Sequence, residues 1–162
     1  MILDGLLLLS GAVSASGALT GQAVNGAGNI LSSNTIDVAP LALGGNQSGD
    51  YGAGEEMYVA VSILTAPTVG TSVKFQLIQA DDAALTTNVQ VISSTDDYPI
   101  ANLPAGTIIP LSWGAAAPYA PKRYRGMRYV NTGAIATLSV IAAVVKDVQA
   151  VKNMYYKSGY TV

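Results

Sequence analysis

A chain of 162 residues without a single histidine or cysteine fits one domain of ordinary size. It has no imidazole general base, no thiolate nucleophile, no disulfide and no sulfur-ligated metal. Half of the residues are hydrophobic and only 11% are charged, against roughly 25% in a typical soluble domain. A free monomer would therefore show a poorly solvated surface, and a homo-oligomer (dimer or trimer) or a subunit of a larger assembly is expected.

The net charge of −2 gives no general affinity for nucleic acid, which normally needs a basic domain. It conceals a polarity. Lys74 faces nine acids before position 121, which leaves residues 1–120 at −8. Seven Lys and Arg against Asp147 leave residues 121–162 at +6.

Residues 1–33 are rich in Gly, Ala, Ser and Asn with scattered Leu and Ile, which suits an extended arm that gains order by lying on something else. A first strand followed by a long loop is the other reading of the same stretch. The opening Leu6–Leu9 run follows an acid, has no Lys or Arg ahead of it and comes after Gly5, so it does not read as a secretory signal. No run approaches the ~20 apolar residues of a membrane span. Leu6 and Leu8 are the candidates in this arm for contact with a partner.

The strand pattern begins at Thr35-Ile36-Asp37-Val38 and stops at Pro40. A turn-rich loop spans Gly44–Gly54. Met57, Val59, Val61 and Ile63 then share one face, as do Val73, Phe75 and Leu77, with Lys74 and Gln76 opposite. Pro67 and Gly70 lie between the two runs, and the pair reads as an antiparallel hairpin with one wet side. Short strands follow at Val89–Ile92 and Ile108–Leu111, and a Pro-bounded loop at Gly114–Pro121. Strands at Arg123–Val130 and Ile135–Asp147 are joined at Asn131-Thr132-Gly133, which reads as a hairpin turn. Ala142–Met154 also suits a helix.

Seven or eight short strands at this spacing predict an all-β sandwich, with the two-Greek-key jelly roll as first choice. The expected organisation is an arm over 1–33, a sandwich over 34–147, and a tail or last strand over 148–162.

Candidate chemistry is sparse. Glu55-Glu56, Asp81-Asp82 and Asp96-Asp97 are adjacent pairs, and neighbours on a strand point to opposite faces. Each is a poor acid–base couple by itself, and acids at turns are ordinary caps. A hydrolase would need two acids converging ~5–10 Å apart. No Asp-x-Asp-x-Asp-Gly loop and no Gly-Lys-Ser/Thr occurs, so no metal and no cofactor is expected. The block Lys122–Tyr129 interleaves Arg with Tyr, as nucleic-acid surfaces do. On a strand, however, it splits into Arg123, Arg125, Met127 and Tyr129 on one side and Lys122, Tyr124, Gly126 and Arg128 on the other. Arg and Tyr are also enriched at protein–protein interfaces, and that is the favoured reading.

The opening Met-Ile-Leu-Asp, the Ile36-Asp37 strand before the loop ending Asp50-Tyr51-Gly52-Ala53-Gly54, and the block Pro121–Tyr129 with its later Val145-Lys146-Asp147 resemble the capsid cement proteins of tailed bacteriophages, the Bbp16-like type above all. The resemblance implies a jelly-roll subunit on the outer surface of an icosahedral virion, bound over seams between major capsid proteins, with no catalytic residues. The expected interface residues are Leu6, Leu8, Arg123, Arg125, Arg128 and Tyr129, with Arg125 and Arg128 open to reversal without damage to the fold. An alternative is a carbohydrate-binding, receptor-recognising jelly roll with Trp113 and Tyr119 as a stacking platform. No nucleic acid and no membrane is expected among the partners.

Overall fold

The computed structural model describes residues 5–38, 56–114, 122–146 and 148. In chain order these form a 3-10 turn (Gly5–Leu7), β1 (Leu8–Ser10), β2 (Ala12–Val13), β3 (Leu19–Thr20), β4 (Gln22–Ala23), β5 (Gly26–Leu31), β6 (Ile36–Asp37), β7 (Tyr58–Thr65), β8 (Ser72–Ala80), β9 (Gln90–Ser94) and β10 (Tyr98–Pro99). A second 3-10 turn (Ile100–Asn102), β11 (Ile108–Ser112), β12 (Tyr124–Ile135) and β13 (Ser139–Val145) follow.

One sheet runs β1-β13-β7-β11, with β4 also on β13. The other runs β10-β8-β12-β5, with β6 on β12 and β9 on β8. The pair β2-β3 stands apart as a two-stranded ribbon. Every strand pairing among the described residues is antiparallel. The fold is therefore an all-β antiparallel sandwich.

The alternating residues build its core as expected. Val59, Val61 and Ile63 from β7 face Val73, Phe75 and Leu77 from β8, all six fully buried in one cluster with Met127, Tyr129, Val140 and Ala142. Each such large apolar side chain contributes ~1.5–3 kcal/mol of burial. Phe75 sits edge-to-face against Tyr98 and Tyr129, with ring centroids 6.1 and 5.9 Å apart. Pro110 lies in β11, at the end of its sheet, where a strand tolerates a residue without an N–H.

The hairpin expected of β7 and β8 does not form: the two strands lie in opposite sheets. The same is true of β12 and β13, and Asn131-Thr132-Gly133 is part of β12 rather than a turn. The reason is visible at one end of the sandwich. The crossover after β7 and the crossover after β12 run side by side and bond to each other. Thr68 N–H donates to Ala136 O (3.1 Å), Ala136 N–H to Val69 O (3.3 Å), Thr71 N–H to Thr132 O (2.9 Å), and Thr137 Oγ1 to Ala66 O (2.9 Å). The turn-like residues satisfy a neighbouring crossover instead of closing their own hairpin. Asn131 is buried, and its Nδ2 donates to Val24 O and Gly26 O (3.1 and 3.0 Å), which fixes the bend between β4 and β5.

The segment 5–33 is extended, and the surface it lies on is its own subunit. β1 and β4 pair with β13, β5 pairs with β12, and Leu9 and Val24 are buried in the main core. The stretch from Ala142 is strand, not helix, as far as Val145. The loop Gly44–Gly54, most of Gly114–Pro121 and all but Val148 of the tail lie outside the described residues. No helix among the described residues is long and apolar enough to cross a membrane.

Candidate interaction surface

The basic block at the start of β12 is largely committed inside the subunit. Lys122 Nζ donates to Asp81 Oδ1 at 2.8 Å. Arg123 grips Asp37 on β6 through Nε (3.0 and 3.1 Å) and Nη2 (2.8 Å), with its guanidinium 5.1 Å from the Tyr124 ring centroid. Lys74 meets Asp97 at 3.2 Å. The two charged halves of the sequence thus meet across strands that the topology brings together. The Lys122–Asp81 bridge is half-buried, whereas those of Arg123 and Lys74 are more exposed, and such exposed pairs contribute little, with a median of ~0–1 kcal/mol.

Arg125 and Tyr129 face the core, not a partner. Arg125 is fully buried, its guanidinium 4.7 Å from the Trp113 ring centroid, and Nη1 donates to Trp113 O. Tyr129 is fully buried and shares a 2.6 Å hydrogen bond with the Ser10 hydroxyl. Burial pushes its phenol well above the ordinary value of 10.0, partly offset by the Ser10 bond. Leu8 is also buried, packed with Ile141 and Ala143. These three expected interface residues are therefore corrected to interior ones. The period-2 assignment put Arg125, Met127 and Tyr129 on one face correctly; that face is the inner one.

Leu6, Arg123 and Arg128 remain at the surface. Leu6 is 83% exposed. Arg128 is half-buried and its Nε donates to Gln76 Oε1 at 2.8 Å. They do not form one patch: Leu6 borders the sheet of β13, while Arg123 and Arg128 belong to the β12 sheet. The exposed apolar residues that sequence reasoning missed are Leu7, Val13, Leu19 and Val69. The signal of Val13 and Leu19 was faint, since single apolar residues among Ser, Ala, Thr and Gly look like loop, and nothing in the Leu6–Leu9 run told its exposed half from its buried half.

The acids have structural partners. Asp82 accepts from Thr87 N–H (2.6 Å), Thr86 N–H (2.9 Å) and Thr86 Oγ1 (2.8 Å). These bonds, Thr87 first, hold its carboxyl below the ordinary 3.8. The Lys122 bond, then that of Asn88, does the same for Asp81. The loop they close seats Leu85 on β12, where a Cβ at Gly126 would lie 2.3 Å from Leu85 Cδ1. Asp96 and Asp97 line a cleft of about 570 Å³ with Tyr98, Asn102 and Pro110. Glu56 accepts from the Tyr58 hydroxyl. No group of three or more Asp or Glu positioned to hold a metal occurs among the described residues. Trp113 is buried beneath Arg125, which removes the stacking platform of the carbohydrate reading; Tyr119 lies outside the described residues.

No curated protein matches this chain. The model of one family, Bbp16, matches residues 14–161, nearly the whole sequence. The chain belongs to the Bbp16 family.

Proposed function

We propose that this protein is a structural virion protein: a capsid cement subunit that binds the outer surface of an icosahedral phage capsid across seams between major capsid proteins. The observation that carries the proposal is membership of the Bbp16 family, because it was to Bbp16-like cement proteins that the sequence bore its resemblance. Three features support it. The chain is charge-poor, as a surface made to be covered should be. Among the described residues, four of the five exposed large apolar side chains lie between Leu6 and Leu19 (Leu6, Leu7, Val13 and Leu19), with Val69 the fifth. Consecutive long strands cross from sheet to sheet at β7–β8, β11–β12 and β12–β13, a connectivity that suits the jelly roll the cement reading implies.

The mechanism is mechanical. A subunit that spans a seam adds buried area between capsomers, ~1,600 Å² for a standard interface, and many copies multiply the effect. A small homo-oligomer spans a seam better than a monomer does. Such work needs neither histidine nor cysteine.

The test is to raise antibody against the purified chain and label virions of the virus that encodes it. Label on the capsid exterior, and co-sedimentation of the purified protein with capsids stripped of it, are the expected results. Label on tails or fibres alone, or protein that never sediments with capsids, would overturn the reading.

A further inference from the structure

The cleft beside Asp96 and Asp97 has no role in the proposed function. It opens at an edge of the sandwich where the two sheets part. Tyr98 and Pro99 come from β10 in the β8 sheet, Pro110 from β11 in the other, and Asn102 from the 3-10 turn between them. Its volume of about 570 Å³ falls within the ~300–1,000 Å³ of small-molecule sites.

The walls are held in place. Thr95 N–H donates to Phe75 O (3.0 Å), Phe75 N–H to Thr95 Oγ1 (3.1 Å), and Thr95 Oγ1 to Asp96 O (2.8 Å). Ile100 N–H donates to Thr71 O (3.2 Å), and the fully buried Leu103 anchors the end of the turn. The half-buried Tyr98 ring is fixed edge-to-face on the buried Phe75. Such preorganisation lowers the entropy lost when a ligand docks. Asp97 meets Lys74 at 3.2 Å. The Asp96 carboxylate, the Tyr98 hydroxyl and the Asn102 amide, by contrast, have no hydrogen-bond partner among the described residues.

We infer that this cleft binds a neutral saccharide, with Tyr98 as the platform and Asp96 and Asn102 as the polar contacts. Charge, donors and acceptors together select that ligand. Asp96 and Asp97 against Lys74 leave the rim negative, so phosphates, sulfates and carboxylates are repelled. A cation answers Asp96 but only donates, and it leaves the Tyr98 and Asn102 donors unpaired. An extended peptide would seek backbone donors on the rim strands, and both carry proline there. Thr107–Ile63 and Trp113–Met57 are hydrogen-bonded pairs of β11 with β7, so at Pro110 the missing N–H is one that would point away from β7, towards a guest strand. Pro99 likewise has no N–H to give. A sugar meets every requirement. Its hydroxyls donate to the carboxylate and accept from the phenol and the amide, and its C–H face lies on the Tyr98 ring beside Pro99 and Pro110. The inference is independent of the capsid reading, and it does not use Trp113, which is buried.

The experiment places the purified full chain on an array of neutral and acidic oligosaccharides, then titrates it calorimetrically with the neutral sugars that bind. Binding to neutral members, and little or none to sialylated, sulfated or uronic-acid members, is the expected result. Asp96→Ala and Asn102→Ala, both at exposed positions, should each weaken binding at least about tenfold with an unchanged melting temperature. Tyr98→Ala should abolish binding, whereas Tyr98→Phe, which keeps the ring on Phe75, should retain part of it. An array on which no neutral sugar binds, a preference for acidic sugars, or binding that survives both Asp96→Ala and Asn102→Ala would overturn the inference. Capsid binding is read separately. A chain that sediments with capsids but binds no sugar fails only here, and one that binds sugar but no capsid fails only the cement reading.

Discussion

Arg125 shows how far a single residue's setting outruns its type. Its guanidinium lies fully buried over Trp113, where a desolvated cation–π contact contributes ~2 kcal/mol or more. Arg125→Glu should lower stability by about 3–5 kcal/mol, the scale for breaking a buried charge arrangement, read as a fall in melting temperature. Arg128→Glu, at a half-buried position bonded to Gln76, should move it far less. The Ser10–Tyr129 bond permits a sharper comparison. Tyr129→Phe strands a buried hydroxyl and should cost about 1–3 kcal/mol, whereas Tyr129→Phe with Ser10→Ala should recover part of the loss. Denaturant melts of the single and double variants measure the coupling.

Among the elements, the loop between β8 and β9 is the most specific construction. Asp81 and Asp82 anchor it and Leu85 (φ +57°) seats it on β12. Gly126→Ala should push Leu85 out and destabilise the fold by about 1–3 kcal/mol, as overpacking does; Leu85→Ala in the same chain should relieve part of it. Both carboxyls are held below 3.8 in the folded state. Their stabilisation is therefore complete above that value and lost as pH falls through the folded values. The protection of the amides in residues 82–88, measured against their intrinsic exchange rates, should fall selectively as pH drops below the ordinary carboxyl value of 3.8, and Asp82→Asn should abolish most of that pH dependence. The pairs Asp81-Asp82 and Asp96-Asp97 were legible from the sequence as turn acids. That Asp82 closes the loop on Thr86 and Thr87 was not, because the closure depends on the turn conformation itself.

For the whole molecule, two ion pairs bring the acidic and basic parts of the chain together, because the topology sets β6 and β8 on either side of β12. Lys122 thereby reaches Asp81 and Arg123 reaches Asp37. Because the Arg123–Asp37 bridge is partly exposed and the Lys122–Asp81 bridge is half-buried and less open to screening, raising salt to about 1 M, where the screening length is ~3 Å, should shift the melting temperature only slightly. A large shift would show that the pairs carry more of the fold than their exposure implies.

The sequence by itself determined the fold class: period-2 runs dictate strands with one buried face. It also indicated which side chains of β8 and β12 point together. Tertiary structure alone decided which sheet each strand joins and which of two faces is inner. Local periodicity does not specify a partner strand. The crossovers between β7 and β8 and between β12 and β13 are settled by hydrogen bonds between residues some 65 positions apart in sequence, as at Thr68 and Ala136. For the same reason Arg125 and Tyr129 looked like surface residues from their type, and became core residues once Trp113 and Ser10 were brought to meet them.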